Sequence, residues 1–359
     1  MKIVIDNAIP FLEGVLEPYA EIRYLPGREI AARDVRDADA LIVRTRTRCD
    51  AALLDGSRVR FIATATIGFD HIDLDYCRRR QIGVATAAGC NARGVLQWIA
   101  AVLHHLSQRD GWHPAEKTLG VVGAGHVGEL VRRYAASWGF RVLTCDPPRA
   151  AREGGGDFVP LEEVARHCDL VTFHTPLDAT TRRMADEALL RRLKPKAVVI
   201  NSSRGEVVDG DALLRSGRPY VLDVWEHEPD IDRRLLAGAI LATPHIAGYS
   251  AQGKANATAM SVASLARRFG LPLEGWYPPQ AAPARRGRSP GRNFAGPSAG
   301  RTTSRPKAAA SRSGPGISNP CATTTPTAAN IFSTNGADCA RSGVRKRRNL
   351  LFISEFALF

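Results

Sequence analysis

The sequence has no Cys-x-x-Cys pair: its seven cysteines (Cys49, Cys77, Cys90, Cys145, Cys168, Cys321, Cys339) are scattered and odd in number. That spacing argues against a structural zinc site and a disulfide frame, and for the reduced thiols of a cytoplasmic protein. No metal site is expected. No apolar run reaches the roughly 18 residues that a membrane span needs, so no membrane partner is expected. Met1-Lys2 leads straight into Ile3-Val4-Ile5, without the regions of a signal peptide. Acidic residues are almost missing from one stretch: residues 281–359 hold 13 Lys+Arg against 2 Asp+Glu. Residues 1–280 hold 36 against 34. The net charge of +13 would otherwise suggest nucleic-acid binding. Its confinement to the tail leaves a near-neutral body with no expected nucleic-acid partner. With 359 residues, 44 % of them hydrophobic, the chain can fill two cores, since one core rarely grows past about 250–300 residues.

Up to about Pro279, short apolar runs alternate with amphipathic stretches. Strands are expected at Lys2–Ile5, Ala40–Val43, Phe61–Thr64, Thr118–Val122, Arg141–Cys145, Leu170–His174, Ala197–Asn201, Tyr220–Leu222 and Ala239–Ala242. Several are β-branched runs without alternation, as strands buried on both faces are. Helices are expected at Gly94–Ser107, Val127–Trp138 and Ser250–Arg268. Strand and helix alternating at this spacing predict an α/β fold with parallel, doubly wound sheets.

Gly123-Ala124-Gly125-His126-Val127-Gly128 follows one strand and opens a helix. In that setting a G-x-G-x-x-G run is a dinucleotide fingerprint. Gly123 makes the tight turn, Gly125 admits a pyrophosphate, and Gly128 lets helix and strand pack closely. His126 is expected to contribute only its backbone. Asp146 ends the next strand about 20 residues on, where an acid binds the adenosine ribose hydroxyls and repels a 2′-phosphate. The expected cofactor is therefore NAD.

Three further segments each follow a strand: Asn201-Ser202-Ser203-Arg204-Gly205, Asp223 to Pro229, and Thr243 to Tyr249. Ligands of open parallel sheets bind beyond the strands' carboxyl ends. An Arg, a Glu and a His converging there suit hydride chemistry on a hydroxy acid. Arg204 would hold a carboxylate through its fork of N–H groups. His245 would take the hydroxyl proton, and Glu228 would orient the imidazole and favour its charged form.

The segments at Gly123–Gly128, Asn201–Gly205, Leu222–Pro229 and Thr243–Ser250 resemble those of the D-isomer-specific 2-hydroxyacid dehydrogenases. Ala65–His71, Ala88–Ala92, Cys145–Arg149 and Phe173–Pro176 narrow the likeness. They are similar to those of a branch that oxidises 4-phospho-D-erythronate at C2, giving 3-hydroxy-2-oxo-4-phosphobutanoate, in pyridoxal 5′-phosphate (vitamin B6) synthesis. The resemblance implies two Rossmann-like domains. A discontinuous substrate domain, residues 1–92 with a return over 252–280, flanks an NAD-binding domain at 93–251. It implies Arg204, Glu228 and His245 as catalytic residues. NAD would lie against Asp146, Thr175, Ser202, Ser203, Arg204, Asp223 and Gly248, and substrate near Thr45, Thr66 and Tyr249. Arg44 and Arg46 flank Thr45 and are candidates for a phosphate. Another hydroxy acid, such as phosphoglycerate or hydroxypyruvate, and an NAD-sensing binding protein on the same fold remain open.

The family carries a C-terminal dimerisation domain where residues 281–359 of this chain read as an irregular basic tail. Read one base out of frame, Pro320–Phe332 permits a string resembling the family's C-terminal signature, and Arg288–Ala295 a plausible start to that domain. A coding-frame slip between Gln280 and Arg288 is the expectation. The family homodimer would then be impaired, and the tail extended, poorly packed and open to proteolysis.

Overall fold

The computed structural model describes residues 1–281; the expectations for the basic tail lie outside them. Two wholly parallel sheets carry the described chain. The first comprises β1 (Lys2–Asp6), β2 (Glu21–Leu25), β3 (Ala40–Val43), β4 (Phe61–Thr64) and β5 (Gly83–Thr86), in the order β2-β1-β3-β4-β5. The second comprises β6 (Thr118–Val122), β7 (Arg141–Cys145), β8 (Leu170–Phe173), β9 (Val198–Asn201), β10 (Tyr220–Leu222) and β11 (Leu241–Ala242), in the order β11-β10-β9-β8-β6-β7. The alternation of strand and helix predicts such parallel sheets, and the two Rossmann-like domains are those that the family resemblance implies. β3, β4, β6, β8 and β9 are buried along their whole length. With both faces covered there is no polar face to alternate, so each reads as a mainly apolar run, in which Thr64, Thr118, Thr172 and Asn201 are the buried polar residues.

Two strands escape that signal. β2 and β5 are the edges of the first sheet. β2 leaves Glu21 and Arg23 exposed, and no residue of β5 is fully buried. Three other strands are shorter than expected: His174 and Ala197 fall just outside β8 and β9, and only Leu241–Ala242 pairs at the outer edge of the second sheet. The helix Ala92–Asp110 outruns its expected ends and stops where Gly111 turns left-handed (φ 68°), a conformation glycine adopts without a Cβ penalty.

The helix Ala251–Phe269 begins beside the second sheet's loops yet completes the core of the first. Its Val262 and Leu265 are fully buried in one cluster with Ile3, Ile5, Ile42 and Phe61. Each such side chain contributes about 1.5–3 kcal/mol through burial. Val122, Val171, Phe173, Val199, Leu213 and Leu222 belong to a separate core around the second sheet. In each sheet the strand order reverses once, between β1 and β3 and between β6 and β8. Open α/β sheets take ligands beside such reversals, beyond the carboxyl ends of the strands. Among the described residues no helix is long and apolar enough to cross a membrane.

Candidate active site

The fingerprint loop leaves β6 at the reversal of the second sheet. Gly123 has φ 88°, and a Cβ there would lie 2.8 Å from the His174 carbonyl. A Cβ on Gly128 would lie 1.8 Å from the Gly123 carbonyl oxygen. Both positions therefore exclude a side chain. Gly125 faces open space, leaving its backbone free for a phosphate at the N-terminus of the helix His126–Ser137. Val127 is half-buried in the first turn. His126 does more than the sequence suggests: its imidazole packs against Gly89, where a Cβ would sit 2.8 Å from the ring.

Asp146 ends β7. Its carboxylate accepts from Ala124 N–H at 2.7 Å and from Arg149 N–H at 2.9 Å. Arg149 donates to the Ala124 carbonyl at 2.9 Å and pairs with Glu153 and Glu129, each at 2.7 Å. Those two carboxylates hold its pKa above the ordinary arginine value. Just beyond β8 and β9, Thr175 Oγ1 and Ser202 Oγ are buried and lack a hydrogen-bond partner among the described residues. A buried orphan hydroxyl costs about 1–3 kcal/mol unless a ligand or water satisfies it. Glycine cradle, acid at the second strand end and orphan hydroxyls together fit a dinucleotide.

Asn201, fully buried at the end of β9, shapes the next loop. Its Nδ2 donates to the Arg204 carbonyl at 2.8 Å, and its Oδ1 accepts from Ser203 N–H (3.0 Å) and Oγ (2.8 Å). Ser203 thus spends its side chain within the loop. Arg204 reaches back to the first domain, with Nη2 3.7 Å from Asp70 Oδ2. A Cβ on Gly68 would lie 2.4 Å from that nitrogen, so glycine provides the clearance that the guanidinium occupies.

Asp223, fully buried after β10, organises the third loop. Its Oδ1 accepts from Thr243 Oγ1 (2.5 Å) and Ile246 N–H (2.8 Å), and its Oδ2 from Ala247 N–H (2.9 Å). Its carbonyl accepts from His245 N–H at 2.7 Å. His245 is thereby held at φ 55°, a left-handed conformation that costs a non-glycine residue about 1–3 kcal/mol. His245 Nδ1 lies 2.7 Å from Glu228 Oε2, and Glu228 Oε1 accepts from Trp225 N–H at 2.8 Å. His245 Nε2 has no hydrogen-bond partner among the described residues. An imidazole tied at one nitrogen to a carboxylate and open at the other can exchange a proton at the open one.

Residues 91–247 match the model of the D-isomer specific 2-hydroxyacid dehydrogenase NAD binding domain. The erythronate-4-phosphate dehydrogenase of Bacteroides fragilis is 50 % identical over 279 residues, covering 75 % of this chain and 80 % of that one. The chain belongs to the erythronate-4-phosphate dehydrogenase family. That of Ectopseudomonas mendocina is 50 % identical over 277 residues, covering 76 % of this chain and 73 % of that one. In fold, the NAD-bound 3-phosphoglycerate dehydrogenase of Entamoeba histolytica superposes with a TM-score of 0.64 at 24 % identity, over 76 % of this chain and 97 % of that one. The Aquifex aeolicus D-lactate dehydrogenase, in complex with NAD and lactic acid, gives 0.62 at 24 % identity, over 79 % and 100 %. Like the rest of the family, this chain is an NAD-dependent oxidoreductase.

The expected substrate residues are placed unevenly. Thr45 is exposed in the turn after β3. Thr66 Oγ1 lies 2.6 Å from Thr64 Oγ1 and donates to the Gly68 carbonyl at 3.1 Å, so its hydroxyl holds the loop beneath Arg204. Tyr249 is exposed, and its hydroxyl accepts from Lys254 Nζ at 2.8 Å. Gly248 has φ 83° against Asn91, whose Nδ2 would meet a Cβ at 2.4 Å. Sequence reasoning assigned no role to Asp70, Gly68, Asn91 or Lys254. The first three lie within or beside quoted motifs, and Lys254 carried no signal of its own.

Proposed function

We propose that this chain oxidises 4-phospho-D-erythronate at C2 to 3-hydroxy-2-oxo-4-phosphobutanoate, a step of pyridoxal 5′-phosphate biosynthesis in the cytoplasm. NAD, when bound, supplies the acceptor for the C2 hydride. Arg204 binds the substrate carboxylate through two parallel N–H···O bonds. His245 Nε2 accepts the proton of the C2 hydroxyl as the C2–H bond breaks. Glu228 keeps the proton on Nδ1, so that Nε2 presents its lone pair, and stabilises the imidazolium that forms. Asp146 binds the adenosine ribose hydroxyls, and the orphan hydroxyls of Thr175 and Ser202 are satisfied by the cofactor. The observation that carries this reading is the 2.7 Å contact between His245 and Glu228, one strand end away from Arg204. Residues 1–92 and 252–280 form the substrate domain and 93–251 the NAD-binding domain. The stretch from residue 281 is the product of a frame slip that impairs the family homodimer; an in-frame coding sequence around codons 280–290 would refute this. The activity is tested by NADH formation with 4-phosphoerythronate against 3-phosphoglycerate. A preference for 3-phosphoglycerate would overturn the substrate, and no turnover with either would favour an NAD-sensing role.

A further inference from the structure

On the reading above, the substrate has two anionic ends, and Arg204 accounts for one. The first sheet offers a place for the other. Its order reverses between β1 and β3, so a crevice opens between the segments leaving those strands, where such sheets take ligands. Arg44, directly after β3, spans it: its Nη1 donates to the Ala8 carbonyl, after β1, at 3.0 Å. The helix Ala251–Phe269 is tied over the same segment, with Thr258 Oγ1 donating to the Pro10 carbonyl at 3.0 Å. Lys254 lies in the first turn of that helix, and its Nζ donates to Tyr249 Oη at 2.8 Å. Lys254, with Arg44 adding at longer range, holds the Tyr249 hydroxyl below its ordinary pKa. Accepting from Lys254 leaves the phenolic proton free to be donated elsewhere. Neither Arg44 nor Lys254 forms a salt bridge among the described residues, whereas Arg23 and Arg48 on nearby segments do. Arg44 and Lys254, neither paired with a carboxylate among the described residues, and the Tyr249 hydroxyl thus lie on segments that border the same crevice. The turn joining this group to His245 is short, closed by Tyr249 N–H donating to the Ile246 carbonyl at 2.8 Å. The phosphate to be held is itself only two carbons from C2.

We propose that Arg44, Lys254 and the Tyr249 hydroxyl form the subsite for the substrate's phosphate, at the strand-order reversal of the first sheet. A phosphate monoester carries about −1.5 to −2 charge near neutral pH, which one guanidinium fork and one ammonium match. Lys254 would then select phosphorylated over plain hydroxy acids.

The test uses the full chain with NAD and compares kcat/KM for 4-phosphoerythronate with that for erythronate. Inorganic phosphate binding is followed in parallel by titration calorimetry. Lys254→Met should lower the ratio of the two kcat/KM values by about 10–100-fold and abolish the phosphate heat. Lys254→Arg should restore most of both, which excludes misfolding as the cause. A Lys254→Met ratio within about threefold of wild type, with phosphate binding intact, would overturn the subsite and leave the assigned reaction standing. Wild-type enzyme that binds phosphate through Lys254 but fails to oxidise 4-phosphoerythronate would overturn the reaction and leave the subsite.

Discussion

Replacing Asp223 by Asn changes one oxygen of a fully buried carboxylate and tests how the proton-transfer loop is held. The carboxylate accepts three hydrogen bonds, from Thr243 Oγ1, Ile246 N–H and Ala247 N–H. Thr243 cannot turn away, because its Oγ1 already accepts from Trp98 Nε1 at 3.1 Å. An amide matches at most two of the three donors and points its own N–H groups at the rest. Loss of a charge-assisted bond is worth about 1.5–3 kcal/mol, and an unsatisfied buried donor costs a further ~1–3 kcal/mol. The loop also maintains the left-handed backbone of His245, so little of this loss can be recovered without moving the imidazole. If about 3–4 kcal/mol of loop ordering is lost and all of it served to position His245, turnover falls roughly 10²–10³-fold. Steady-state NADH formation reads that change. Amide exchange at Ile246 and Ala247 should speed up by a similar factor while the core amides of β6 and β8 do not. Turnover within about threefold of wild type, with unchanged exchange at those two amides, would refute the idea that Asp223 sets the loop.

His245→Ala should lower turnover roughly 10²–10⁴-fold, the usual weight of a general acid–base group, with NAD affinity from fluorescence titration little altered. Asp146→Ser keeps a helix-capping oxygen for Arg149 N–H but removes the negative charge. The NADP-to-NAD ratio of kcat/KM should then rise about tenfold or more; an unchanged ratio would place the ribose elsewhere. His174, whose Nε2 lies 3.0 Å from Thr172 Oγ1, has its pKa lowered by desolvation to about 3. Its unfolded value is near 6.5. Between the two values the unfolded chain binds the extra proton, so the folded form loses stability as pH falls below about 6.5. The loss is about 2 kcal/mol at pH 5, at ~1.4 kcal/mol per unit. Urea unfolding of His174→Gln should show a correspondingly shallower acid dependence than wild type; parallel curves would contradict it.

What could be read from the sequence tracks what is local. β3, β4, β6 and β8 are legible because complete burial leaves mainly apolar residues in them, and the fingerprint loop because Gly123 is required by its own positive φ and Gly128 by the nearby Gly123 carbonyl. β2 and β5 are illegible because an edge strand needs neither a continuous apolar run nor a clean alternation. The same boundary runs through the site. His245, Glu228 and Arg204 stand out as chemistry-bearing residues after strand ends. Nothing in the sequence places Asp70 within 3.7 Å of Arg204, because that contact is made by residues far apart in the chain. Asp223 is legible as a polar residue after a strand, but its engagement with three donors of a later loop is not.

The chain passes between the two sheets twice, at Ala87–Asn91 and at Ala247–Ser250, and these passages touch. A Cβ on Gly94 would lie 2.9 Å from Gly248 Cα, and one on Gly248 would lie 2.4 Å from Asn91 Nδ2. Gly89 and Gly248 both hold positive φ, 85° and 83°. Neither Gly94 nor Gly248 has room for a Cβ, so a side chain at either would wedge the two passages apart and disturb the loop that carries His245.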